Sequence, residues 1–167
     1  MNSIDPSPRQ LRALAHPLRL RMLGELRTHG PLTVGRLCEL LDEAPGNISY
    51  HLRVLVEFGF VVEAPELATD RRERWWRSAH QATRLDGPEA AAVRHSVVDV
   101  IASSLHAAID ANGLAVSSDV IAYLTPEQLA EAGRELEQVI RRWADAGSAD
   151  TPGATPSQLV VSAFRRP

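Results

Sequence analysis

The chain has no lysine, one cysteine, few aromatic residues and no long apolar run. Most of these shortages exclude something. With Cys38 alone, an intramolecular disulfide or a thiolate metal cluster within one chain is ruled out, and a thiol switch would need a second chain. No stretch of about 18 uncharged apolar residues is present to span a bilayer. The opening MNSIDPSPRQ lacks the basic and apolar regions of a secretion signal, so a cytoplasmic location is expected. Residues 87–167 hold no glycine-rich phosphate loop and no recognisable nucleophile–base set, so the chain is not expected to be an enzyme. The lack of lysine, with all eighteen basic residues being arginine, reads as a bias toward GC-rich codons rather than a physical requirement.

What is present suffices for a folded protein. A length of 167 residues with 44% apolar side chains allows one domain and a second small one. The net charge of −3 does not suggest a nucleic-acid binder until it is divided along the chain. Up to residue 86 there are twelve arginines against eleven acids, and beyond it six against ten, so phosphate contacts belong to the first half.

Helical periodicity dominates that half. After a short apolar pattern from Pro8 to Ala15, Pro17 opens a helix to about His29, with Leu18, Met22, Leu23 and Leu26 on one face. Thr33 is a good N-cap for a helix over Val34–Leu41. Asp42-Glu43-Ala44 is a tight connector, and Pro45 opens a further helix ending near Phe58-Gly59. Two short helices so joined form a helix-turn-helix unit.

At about 100° per residue, Ile48, Leu52 and Leu55 share one face of that last helix. Gly46, Tyr50 and Arg53 point the other way, with Asn47 and Ser49 on the flanks. Small and hydrogen-bonding residues at the start of a helix, followed by an arginine, suit entry into the major groove; an ordinary solvated face would look much the same. Phe60–Glu63 and Glu73–Arg77 then read as two strands joined by a loop with Arg71 and Arg72 near its tip. In such a hairpin Arg71, Arg72 and Arg74 could meet the phosphate backbone.

These segments resemble the arsenical-resistance-repressor (ArsR-type) family of winged helix-turn-helix regulators. The resemblance covers roughly residues 10–80, in the stretches LRALAHPLRLRML, LTVGRLCELLDEAPGNISYHLRVLVEFGFV and DRRERWWR. It points to a branch with an extended C-terminal segment. It implies a mainly α (α+β) winged helix-turn-helix fold and a homodimer that binds double-stranded DNA at an inverted-repeat operator and represses or activates a promoter, repression being the outcome expected here. The DNA-binding set is then Thr33, Pro45, Gly46, Asn47, Ser49, Tyr50, His51, Arg53, Arg71, Arg72 and Arg74. A winged-helix interaction module without sequence-specific DNA binding is the alternative.

Many members of the family sense metals, and here this chain departs from their patterns. Leu32-Thr33-Val34-Gly35 stands where arsenic and cadmium sensors carry two cysteines one residue apart. A helix from Pro88 to about Asn112, capped by Asp86, carries His95, Asp99, His106 and Asp110 on one side, in a spacing similar to that of the zinc sensors, but Val93 and Ile109 replace two expected acids. The two histidines lie about 16 Å apart on one helix, so one ion cannot be held by both in a single chain. No cofactor is expected, with zinc at these four residues the lesser alternative. Val93, Val97, Val100, Ile101, Leu105 and Ala108, joined by Leu11, are expected to form the dimer interface.

The boundary is placed after residue 86, with 87–167 holding the dimerisation helix and a small α+β extension. Thr125-Pro126-Glu127-Gln128 starts a helix that ends before Gly147, flanked by strand candidates at 119–123 and 158–164. Tyr123, Trp143, Trp75 and Trp76 are candidates for lining a small-molecule effector pocket.

Overall fold

The computed structural model describes residues 2–70, 73–85, 88–111, 113, 120–148 and 150–164. The chain divides into two units, residues 2–115 and 116–167.

In the first unit β1 (Ser3–Ile4) precedes α1 (Pro8–Leu14). The Ser7 hydroxyl accepts the Gln10 N–H while the Gln10 side chain accepts the Ser7 N–H, which starts α1 with a capping box. α2 (Pro17–Thr28) begins with Pro17 in its first turn, and the Nδ1 of His16 accepts the Leu18 N–H. β2 (Leu32–Thr33) leads into α3 (Val34–Leu41), capped as expected by the Thr33 hydroxyl on the Arg36 N–H. The turn to α4 (Pro45–Glu57) is made by Asp42 at φ 52°, a left-handed conformation that aspartate tolerates better than most residues.

α4 ends where Gly59 adopts φ 75°. The Gly59 N–H bonds the Val56 carbonyl and the Phe60 N–H the Leu55 carbonyl, so the last carbonyls are satisfied and the chain turns into β3 (Val61–Glu63). After a 3₁₀ turn at Pro65–Leu67 comes β4 (Trp75–Ser78). The sheet order is β2-β4-β3, antiparallel throughout, with Leu32 opposite Trp76 and Val62 opposite Arg77. β5 (Ala82–Thr83) pairs in parallel with β1. The winged helix-turn-helix is therefore complete, and its third strand comes from the segment just ahead of α3.

α5 (Ala91–Asp110) follows a 3₁₀ turn at Pro88–Ala90. It starts at Ala90 without a side-chain cap; the expected cap, Asp86, and the expected helix end, Asn112, lie outside the described residues. The helix belongs to the first unit, because Val93 is buried beside α1 and α2, so the units divide after α5 rather than at residue 86. One core joins Leu14, Met22, Leu23, Leu26, Leu37, Ile48, Leu55 and Phe60, all essentially fully buried. Each such side chain contributes about 1.5–3 kcal/mol of burial, and the two helices of the helix-turn-helix are fixed against α2 by it.

The second unit holds α6 (Pro126–Ala146), opened by a Thr125–Gln128 capping box as its sequence predicts. The flanking strands are not formed. Residues 120–123 and 158–164 run as irregular chain, with Val120 and Phe164 exposed, and Asp119 lies outside the described residues. Two short β-prone runs with no third strand or packed face to bury are too little to make a sheet.

Candidate nucleic-acid interface

α4 separates its two faces cleanly. Ile48, Leu52 and Leu55 are buried, while Pro45, Gly46, Asn47, Ser49, Tyr50 and Arg53 are exposed. No side chain caps its N-terminus at Ala44 and no acid lies in its first turn, but Pro45 has no N–H and the Asn47 and Ile48 N–H groups already bond the Ala44 carbonyl. Arg53 makes no hydrogen bond or ion pair among the described residues. Asn47 donates to the Glu43 carboxylate at 2.7 Å, so a base or phosphate would have to compete for it.

His51 was expected on this interface, and the structure corrects that. It is 5% exposed and packs its ring 4.3 Å from that of His16, with Arg19 Nη1 3.3 Å from its Nδ1. Burial, with His16 and Arg19 beside it, pushes its pKa below the usual histidine range. Only the Glu43 carboxylate pulls the other way. Arg19 also donates to the Ala13 carbonyl. His51 therefore ties α4 to α2 and turns its ring into the fold.

Thr33 is likewise committed, its hydroxyl being the α3 cap. In the wing, Arg74 forms a two-point contact with the Glu63 carboxylate at 2.7 and 2.8 Å and lies over the Trp76 ring. That hydrogen-bonded contact raises the Arg74 pKa and lowers that of Glu63. Arg77 pairs with Glu66. The strands of the wing thus present neutralised pairs. Arg71 and Arg72 lie outside the described residues; on either side of them Thr69 donates to the Glu73 carboxylate and the Glu73 N–H to Asp70. Between α3, α4 and β4 an open groove of about 650 Å³ is bordered by Thr33, Ser49, Arg53, Arg74 and Trp76.

One anchor escaped the sequence reading. Arg27 donates to the His80 carbonyl at 3.0 Å and the Thr83 hydroxyl at 2.8 Å, holding the far end of the wing to α2. Burial without an acidic partner pushes its pKa down to about 10. In the sequence Arg27 lies off the apolar face of Leu18, Met22, Leu23 and Leu26, and nothing there marks it as buried.

The expected dimer stripe splits between two faces of α5. Val93 is buried in the chain's own core, as is Leu11, and Val97 packs partly against that core. Leu105 is exposed, together with Val98 and Ile109, which the sequence reading had not grouped with it. Ile101, Val100 and Ala108 are half-buried. His95, Asp99, His106 and Asp110 are exposed, and no group of three or more potential metal ligands comes together among the described residues. Tyr123 and Trp143 are exposed, which does not suit the lining of an enclosed pocket, whereas Trp76 is buried.

The fold and this face define a class: a winged helix-turn-helix protein of the kind that binds DNA to regulate transcription. A family model described as a helix-turn-helix domain matches residues 14–64, the stretch from the end of α1 to just past β3. No curated protein matches the chain. Among solved structures, the chain is similar to one described as "Possible transcriptional regulator for arsenical resistance", at 28% identity over 64% of this chain and 97% of that one, with a TM-score of 0.36. It is also similar to an ArsR family transcriptional regulator, RHA00566, at 24% identity over 62% and 95%, TM-score 0.35. A MarR variant from E. coli complexed with operator DNA matches at 19% identity over 79% and 86%, TM-score 0.34. With TM-scores this low, the class rests on the matched domain and on the elements themselves.

Proposed function

We propose that the protein is a homodimeric repressor that reads an inverted-repeat operator with α4 and is modulated by a small-molecule effector. The observation that carries this reading is the exposed row Gly46, Ser49, Tyr50 and Arg53, held by a helix whose opposite face is locked into the core. Arg53 would reach a guanine edge or a phosphate, and Tyr50 and Ser49 would contact bases or backbone. Arg71 and Arg72 would add salt-dependent affinity at the wing. The second protomer would dock on exposed Val98, Leu105 and Ile109 and half-buried Ile101 of α5, placing two reading helices about 34 Å apart. An effector acting on α5 would find an open groove of about 250 Å³ between α1 and α5, lined by Leu11, Arg12, Glu89 and Val93.

The test is a fluorescence-anisotropy titration of the purified protein against its own promoter region, with and without zinc, at two salt concentrations. Sequence-specific binding that weakens with salt and ignores zinc is expected. Zinc-dependent release would bring back His95 and His106. Absence of specific binding would favour the protein-interaction module.

A further inference from the structure

α6 carries an apolar row, Leu129, Ala132, Leu136, Val139 and Trp143, at alternating spacings of three and four residues. That spacing averages 3.5 residues, the repeat of two helices packed along their length. Yet no residue of α6 is buried, and Trp143 is 61% exposed. Among the described residues of its unit, α6 is the only helix or strand, so no element there covers the row. On the polar side the charges are paired, Arg134 with Glu131 and Arg141 with Glu137. Two charges that border the row, Glu135 and Arg142, have no ion-pair partner among the described residues.

We infer that α6 is covered by α6 of a second copy running antiparallel, in the register that sets Ala132 against the partner's Trp143 and Leu136 against the partner's Val139. Side-chain size selects this arrangement. A parallel pair would stack Trp143 on the partner's Trp143 and Ala132 on the partner's Ala132, overfilling one layer and leaving a void in the other. The antiparallel register puts the largest side chain of the row against the smallest. Charge selects the same register. It brings Glu135 beside the partner's Arg142, twice by symmetry, whereas a parallel pair would set Glu135 beside the partner's Ile140. The pairing deepens the homodimer reading without drawing on α5.

Cross-linking tests it in full-length chains with Cys38→Ser, which removes the native thiol. Ala132→Cys chains and Trp143→Cys chains are oxidised separately and as an equimolar mixture. In the antiparallel register the two copies of residue 132 lie about 16 Å apart along the axis, beyond the roughly 7 Å Cα separation that a disulfide tolerates. The expected result is a linked dimer from the mixture and none from either variant alone. Linking by Ala132→Cys alone would overturn the register in favour of parallel helices. No linking in the mixture, with a dimer still seen by sedimentation and DNA still bound, would overturn the α6 pairing and leave the DNA-binding dimer standing. A monomer throughout would remove both. Adding Glu135→Arg to both chains should lower the linked yield several-fold, and adding Arg142→Glu as well should restore it; an unchanged yield would overturn the charge pairing.

Discussion

Arg53 and His51 stand two residues apart on α4 and have opposite duties. Arg53 is exposed and has no partner among the described residues, so Arg53→Ala should leave the thermal midpoint unchanged while weakening specific operator binding by about 1–3 kcal/mol. Anisotropy at fixed salt measures this, and retained affinity would remove Arg53 from the interface. His51 is buried against His16, Arg19 and Tyr50, and its pKa is lowered. The folded chain therefore holds it neutral. As pH falls below the unfolded value of about 6.5, the unfolded chain takes up a proton that the folded chain resists. The stability it contributes is full above that pH and lost as pH falls through the folded pKa. A thermal midpoint that drops between about pH 7.5 and about pH 5.5 is expected, with a shallower drop in His51→Gln. Equal slopes in the two proteins would show that His51 does not titrate as the fold implies.

At the scale of elements, long periodic segments were legible and short or partner-dependent ones were not. Pro17, Thr33, Pro45 and the Thr125 capping box mark helix starts chemically, and the structure places those starts at the same residues. The pairings of β1 with β5 and of β2 with β4 involve two residues each, too few for alternation to register. The C-terminal strand candidates had the residue types but nothing to pair with. On α5, apolar residues occur on more than one side, so a single list ran the core face of Val93 and the exposed face of Leu105 together. His51 was misplaced for a different reason: it entered the DNA-binding set through the family resemblance, whereas its ring packs beside His16. The wing's anchorage through Arg27 was invisible because it depends on a carbonyl and a hydroxyl more than fifty residues away. Arg27→Met keeps the stem but removes both donors. It should speed amide exchange at Ala82 and Arg84, whose N–H groups bond Asn2 and Ile4 across the β1–β5 pair, and leave α4 protected. Uniform loss of protection would instead make Arg27 part of the global core.

For the whole molecule the distribution of charge decides how DNA can be held. The chain carries −3 overall, and the wing arginines Arg74 and Arg77 are already paired with Glu63 and Glu66. In the proposed dimer, affinity would then come from a few cations and two-fold repetition rather than from a broad basic surface. Each phosphate neutralised contributes close to one unit to the slope of log affinity against log salt. A dimer using Arg53 and the two tip arginines from each protomer should therefore show a modest slope, reduced by about two, one per protomer, in Arg72→Ala. Repetition also makes the geometry strict. Two reading helices fixed about 34 Å apart match half-sites one helical turn, about 10 base pairs, apart. Inserting about five base pairs between half-sites would turn one of them to the opposite side of the duplex, and binding should fall toward the non-specific level. Inserting a full turn would restore the facing but stretch the spacing, so a rigid dimer should recover little. Full recovery would mean that the reading heads are joined flexibly, contrary to α5 being packed into the same unit as α4.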